Sequence, residues 1–282
     1  MVKTGKIQKK RRIEKILRYG IIFFILFIFL FPFYWTIATS LKTRVVAWSM
    51  PPVFWFKPEF HNYWKVLIER NFLHFIKNSF IVAIGSTALA LLIGTPAAFA
   101  FTRLKGTPIY KNIFVLILGG YLVPAMVVAV PLYIIASKVG FAGSYFVIIL
   151  AHTLFNLAFL IWLLRGFFDG IPSDLEEAAI LDGCSYFGAL VRVIIPIATP
   201  GLIAGVTLTF ILSWNDFLYG LVLTTLDTRT VPVAISQFLT PHAVIWGEIT
   251  AVGTLSVIPV VIFSIILQKW VIRGLTLGAV KY

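Results

Sequence analysis

Residues able to do chemistry are few in this chain and mostly far apart. His61, His74, His152 and His242 form no i,i+4 pair and have no acidic neighbours at ligand spacing, so no metal site is expected. Cys184 is the only cysteine, which rules out an intrachain disulfide and leaves a small apolar side chain. No G-x-x-x-x-G-K-[ST] loop occurs. The nearest frame, Gly183 to Gly188, continues with Ala189-Leu190 and lacks the lysine and hydroxyl that hold phosphate. Asp216 is the one acid inside a long apolar run, preceded by Asn215. Two readings stand for this pair: groups matched to solute hydroxyls along a path, or polar groups that bond to a neighbouring helix or sit near the outer headgroups. His152 and Asn156, four residues apart, share a helix face and admit the same two readings, with packing preferred.

The elements that must position these groups are membrane spans. The chain is 60% hydrophobic and 12% charged over 282 residues, with mean hydropathy +0.96. A soluble domain is nearer half apolar and a quarter charged, so composition points to an integral membrane protein. Net charge is +13. Cytoplasmic loops collect Lys and Arg, which accounts for that charge without a nucleic-acid partner. Residues 1–18 form a basic tail with one acid, Glu14, and the apolar run Gly20–Ile37 follows. This could be a signal peptide, but the run is about as long as a span needs and no small-x-small site follows it, so an uncleaved first span is expected. Five more runs follow, Asn78–Phe101, Ile113–Ile135, Ser144–Leu164, Gly201–Leu223 and Ile249–Ile272. With both termini inside, 16 of the 24 Lys and Arg fall on inner segments and 8 on outer ones, which favours that orientation. Residues 19–282 are then a single transmembrane domain. Its outer segment 38–77 carries Trp48, Trp55, Tyr63 and Trp64, rings suited to a membrane interface. A second outer loop spans 224–248, and the inner segments are 102–112, 165–200 and the tail 273–282. Pro124 and Pro131 are expected to kink the third span, and Gly201 with Gly205 makes a small-xxx-small helix contact.

The inner loop 165–200 reads as helix, bend, helix. Ser173 can cap a helix and Glu176 can complete a capping box. Asp174 and Glu176 also suit the positive end of the helix dipole. Leu175, Ala178, Ala179 and Asp182 then share one small, flat face. Gly183 permits a left-handed turn at the helix end. Tyr186, Phe187, Leu190, Val191 and Ile194 pattern a second helix, expected to stop at Pro196. From periodicity alone this is a docking surface for a soluble partner or an interfacial hairpin between spans.

The run Glu177-Ala178-Ala179, three residues, Gly183, nine residues, then Val193-Ile194-Ile195-Pro196 resembles the EAA loop of ABC-importer permeases. The segment Ser213-Trp214-Asn215-Asp216-Phe217 is similar to carbohydrate-importer permeases. The tail Gly274-Leu275-Thr276-Leu277-Gly278-Ala279-Val280-Lys281, the segment Gln237-Phe238-Leu239-Thr240-Pro241 and Trp246-Gly247-Glu248 resemble the maltose-type, MalG-like members. Terminal Tyr282 departs from a family that often ends in Gly. The resemblance implies an all-α membrane protein with the type I ABC importer permease fold, in a prokaryotic cell membrane. It implies that Glu177, Ala178, Ala179, Asp182, Gly183 and Pro196 belong to a loop docked on an ATP-binding subunit. Gly274, Leu275, Thr276, Gly278, Val280 and Lys281 would enter the interface of two such subunits. Gln237, Phe238, Leu239, Pro241, Trp246 and Gly247 would form a scoop-like loop toward an extracytoplasmic sugar-binding protein. A second permease would complete the path, on which Asn215 and Asp216 are candidates. ATP and Mg would be held by the partners, leaving this chain without cofactor or enzymatic activity. The implied solute is a maltose- or trehalose-type oligosaccharide or disaccharide. The alternatives are another sugar-like solute, such as a glycerophosphate, or a secondary transporter.

Overall fold

The computed structural model describes residues 2–103, 108–238 and 245–277, with side chains for 13–103, 110, 112–238 and 245–269. All regular structure among them is helical: α1 Val2–Ser40, α2 Arg44–Ala47, α3 His61–Trp64, α4 Phe72–Arg103, α5 Pro108–Tyr121, α6 Ala125–Lys138, α7 Tyr145–Phe168, α8 Asp174–Leu181, α9 Tyr186–Ala189, α10 Ile195–Ile197, α11 Thr199–Asn215, α12 Leu218–Leu223, α13 Val231–Ser236 and α14 Trp246–Leu277. Two π-helical turns, Lys65–Glu69 and Leu190–Ile194, continue α3 and α9.

Four helices, α1, α4, α7 and α14, are long and apolar enough to cross a bilayer unaided. The other two expected spans are broken. Third-run residues Asn112–Tyr121 and Ala125–Lys138 meet at 90°. Pro124 stands at the N-cap of α6, where its missing N–H costs nothing. Pro131 lies inside α6. The fifth run ends its helix at Asn215 and restarts at Leu218. On the inner side α11 is entered through an 83° bend from residues Tyr186–Ile197.

The chain divides into two compact units, Met1–Arg70 with Phe238–Leu255, and Asn71–Gln237 with Ser256–Tyr282. In the first, the Asn62 amide donates to the carbonyls of Ser40 and Lys42, both at 2.9 Å. The Ser40 hydroxyl meets the Tyr63 hydroxyl at 2.7 Å. Lys42 is buried, its ammonium 4.1 Å from the Trp35 ring centre and 5.1 Å from that of Phe56. Burial lowers its pKa from the ordinary lysine value.

In the second unit α4, α7 and α11 pack on one another. Their contacts fall into three layers. An inner apolar cluster holds Ala90, Phe99, Leu160, Leu164, Phe168 and Ile194. An outer one holds Val82, Ile148, Ala151, Tyr219 and Leu223. Between them on the same helices lie buried Ser86, His152, Asn156, Thr209 and Ser213. Close approach of α11 to α7 is set by glycine: a methyl at Gly201 would sit 2.4 Å from the Phe167 ring, and one at Gly205 2.7 Å from Leu160.

Candidate functional site

The inner loop folds as helix, bend, helix. Eight-residue α8 ends in a Schellman motif. Gly183 takes φ +93°, its N–H donates to the Ile180 carbonyl, and the Cys184 N–H donates to that of Ala179, both at 3.0 Å. No atom lies within 4 Å of where a Gly183 side chain would begin, so the glycine serves backbone conformation and not space. Ser185 then caps α9, accepting from the Gly188 N–H at 3.1 Å.

Three local expectations are corrected. Ser173 has helical backbone angles and makes no side-chain cap, so the capping box is not formed. Glu176 instead turns inward and pairs with Arg103 at the end of α4; a buried carboxylate takes a cation over a backbone N–H already facing water. Ala179 is buried with Glu176, while Leu175, Ala178 and Asp182 stay exposed together with Glu177 and Leu181. Both stripes mix small and charged residues, so periodicity alone did not separate them. Finally, the second helix passes Pro196 and ends at Ile197. The π turn before it shifts the pairing, Ile195 N–H donating to the Leu190 carbonyl, so proline enters just past a widened turn. This helix buries Ala189, Leu190 and Ile194 and exposes Tyr186, Phe187 and Val191. The exposed surface is therefore aromatic and aliphatic, rimmed by Asp174, Glu177 and Asp182.

At the break in the fifth span, Asp216 caps α12: its Oδ1 accepts from the N–H of Tyr219 at 2.9 Å and of Gly220 at 3.3 Å. Asn215 is exposed and donates back to the Ile211 carbonyl at 2.9 Å, leaving its amide oxygen free of that bond. His152 Nδ1 meets Ser213 Oγ at 2.6 Å, and that hydroxyl meets Ser86 Oγ at 2.9 Å. The chain of polar contacts joins α7, α11 and α4. Asn156 Oδ1 and Thr209 Oγ1 are buried beside no hydrogen-bond partner. Sequence reasoning missed Ser86, Ser213 and the Arg103–Glu176 pair; the hydroxyls carry no periodic signal, and the pair joins residues far apart in sequence.

On the outer side α4 holds the loop after α12. Asn78 donates to the carbonyls of Asp227 and Arg229, both at 2.9 Å, and accepts from the Tyr145 hydroxyl at 2.6 Å. Ser79 Oγ accepts from the Val231 N–H at 2.8 Å. Gln237 is exposed and follows α13, and Phe238 is half-buried. Trp246 opens α14 and meets Trp48 edge-on at 6.2 Å. Gly247 is buried, with the Asn62 amide 2.5 Å from where a side chain would begin. Leu239 and Pro241 lie outside the described residues. At the other end α14 continues through Gly274, Leu275 and Thr276, which the sequence had assigned to a tail; Gly278, Val280 and Lys281 lie outside the described residues. Among the described residues no three His, Cys, Asp or Glu side chains could share a metal ion.

Four helices long enough to span, two further spans that are bent, and an amphipathic inner loop define a multi-pass membrane protein. The comparisons agree. Residues 90–277 match the family described as Binding-protein-dependent transport system inner membrane component. The sulfoquinovosyl glycerol transport system permease protein SmoH of Agrobacterium fabrum is 36% identical, covering 89% of each chain. The trehalose/maltose transport system permease protein MalG of Thermococcus litoralis is 34% identical over 89% of this chain and 91% of that one. Among solved structures, a bacterial ABC transporter involved in the import of the acidic polysaccharide alginate superposes with a TM-score of 0.74 at 22% identity, covering 92% of this chain and 96% of that chain. The chain belongs to the binding-protein-dependent transport permeases and has the type I ABC importer permease fold.

Proposed function

We propose that this chain is one of two permease subunits of an ATP-driven importer for a sugar or glycoside. It works with two ATP-binding subunits and an extracytoplasmic binding protein. The observation that carries the reading is the loop between α7 and α11: a helix closed by Gly183 that exposes Leu181, then a Ser185-capped helix that exposes Tyr186 and Phe187, with Asp174, Glu177 and Asp182 exposed beside them. Such a surface offers an apolar contact with a charged rim, suited to a cleft of a soluble subunit. Closure of the partners on ATP would carry this helix with them, and the 83° bend into α11 would pass the movement to the spans. ATP and Mg belong to the partners in this reading, and the chain itself catalyses no reaction. The sugar class rests on relatives named for trehalose, maltose and sulfoquinovosyl glycerol. Of the two candidates on the path, Asn215 is the better placed, being exposed at the break; the Asp216 carboxylate already serves Tyr219 and Gly220.

The test is uptake into vesicles holding the complex purified with its binding protein, using radiolabelled trehalose and maltose. ATP-dependent accumulation is expected, and Leu181→Asp should abolish it while leaving the chain in the membrane. Uptake that needs no ATP would overturn the importer reading. Maleimide should reach Cys184 from the cytosolic side only; reaction solely from outside would reverse the orientation.

A further inference from the structure

Along the chain α8 is joined to α7 through the turn at residues 169–173 and to the second helix through Gly183. The Glu176–Arg103 ion pair adds an attachment that the chain does not supply, to the inner end of α4. Glu176 is 5% exposed, so losing this partner would leave its carboxyl buried and unpaired. The Arg103 guanidinium is itself steadied over the Phe99 ring at 5.4 Å. What makes the contact consequential is the other end of the same helix. Thirty-two-residue α4 spans about 48 Å at helical rise, and its first turns carry Asn78 and Ser79, which bind Asp227, Arg229 and Val231 of the outer loop. Midway, Ser86 joins the polar contacts to Ser213. One helix thus holds the coupling loop at its inner end and the rim of the outer loop at its outer end.

We propose that Arg103 is a positioning residue for coupling: by holding Glu176 it makes α4 a strut that carries displacement of α8 to the loop at residues 224–231. This rests on the coupling reading above. It assigns a route separate from the bend into α11, and it places the critical charge at Glu176, the neighbour of the motif's own Glu177.

The experiment uses the complete importer in membrane vesicles, with two thiol reporters read separately. Native Cys184 reports docking of the loop on the ATP-binding subunits. Leu226→Cys, at an exposed position of the outer loop, reports the far end in a Cys184→Ser background. A non-hydrolysable ATP analogue should slow maleimide reaction at Cys184, and it should change the rate at the Leu226→Cys reporter about tenfold, the size of a modest local opening equilibrium. Arg103→Gln should leave protection of Cys184 in place and shrink the outer response to within about twofold. The exchange Arg103→Glu with Glu176→Arg should restore that response. Arg103→Lys, which keeps the charge but loses the guanidinium fork, should restore part of it. If Arg103→Gln does not reach the membrane, the exchange and Arg103→Lys carry the test. Cys184 protected, with the outer response unaltered by these variants, overturns the strut alone. Cys184 left unprotected in the wild-type complex overturns the coupling reading, and the strut with it.

Discussion

His152 Nε2 stands 3.4 Å from Asp216 Oδ1, yet it is not aligned to hydrogen-bond there. The carboxylate is oriented by the first turn of α12, and the imidazole by Ser213. The two groups are neighbours because each is fixed elsewhere. Asp216→Ala therefore should remove the cap of α12, costing about 1–2 kcal/mol. Asp216→Asn keeps an acceptor oxygen and should lose less than half as much. Thermal unfolding in detergent, compared across wild type and both variants, checks the order.

Gly183→Asp should uncouple transport. At φ +93° an L-residue costs roughly 1–2 kcal/mol, and relaxing that strain means reorienting α8 against the second helix. Because no neighbour crowds the position, the chain should still insert normally. The expected phenotype is ATP hydrolysis without uptake in reconstituted vesicles; uptake at the wild-type rate would contradict it. Gly183→Asn, the residue that stands in for Gly at such helix ends, should keep most of the transport.

Gly247→Ala tests a close approach. The added methyl would meet the Asn62 side chain at 2.5 Å, and that amide holds the Ser40 and Lys42 carbonyls. Overpacking of this kind costs about 1–3 kcal/mol. The Asn62→Ala, Gly247→Ala double variant should lose less than the sum of the two single changes, read as unfolding midpoints in detergent.

Lys42 gives a pH signature. Its pKa is lowered in the folded chain, so between the folded and unfolded values the unfolded chain binds more protons. Stability should then rise with pH across that window, up to the ordinary lysine value near 10.5. Lys42→Met keeps the stem between Trp35 and Phe56 and removes the charge. It should flatten that rise and leave the protein at least as stable at neutral pH. The difference between wild-type and variant midpoints from pH 7 upward is the measurement; a difference independent of pH would contradict it.

Much of this architecture is legible in sequence because bilayer thickness imposes length. The runs beginning at Gly20, Asn78, Ser144 and Ile249 are each uninterrupted helix, extended past the apolar run at one or both ends. The third and fifth runs are equally apolar yet broken, since hydropathy records what lies in lipid and not whether the backbone is straight. Pro124 marked one break. Asp216 marked the other, but its charge drew attention to solutes when its local work is to cap four residues ahead. The bend at Gly183 was readable because left-handed backbone has a residue preference. The partner of Glu176 was not, because a side chain aimed at a residue 73 positions away leaves the same local pattern as one aimed at its own helix start.

The π turn at Leu190–Ile194 has a consequence for how such chains can diverge. A π turn holds one more residue than the α-helical turn it replaces. Deleting one residue there would restore ordinary winding with little change of phase, because the widened turn absorbs its extra residue in about the sweep of an α turn, whereas a deletion in the α-helical part rotates everything before it by about 100° relative to α11. Only in the second case would the exposed faces of α8 and α9 turn away from their present direction. The phase of the docking surface is thus buffered at this one turn, which should accept a single-residue deletion more readily than the helical residues on either side of it.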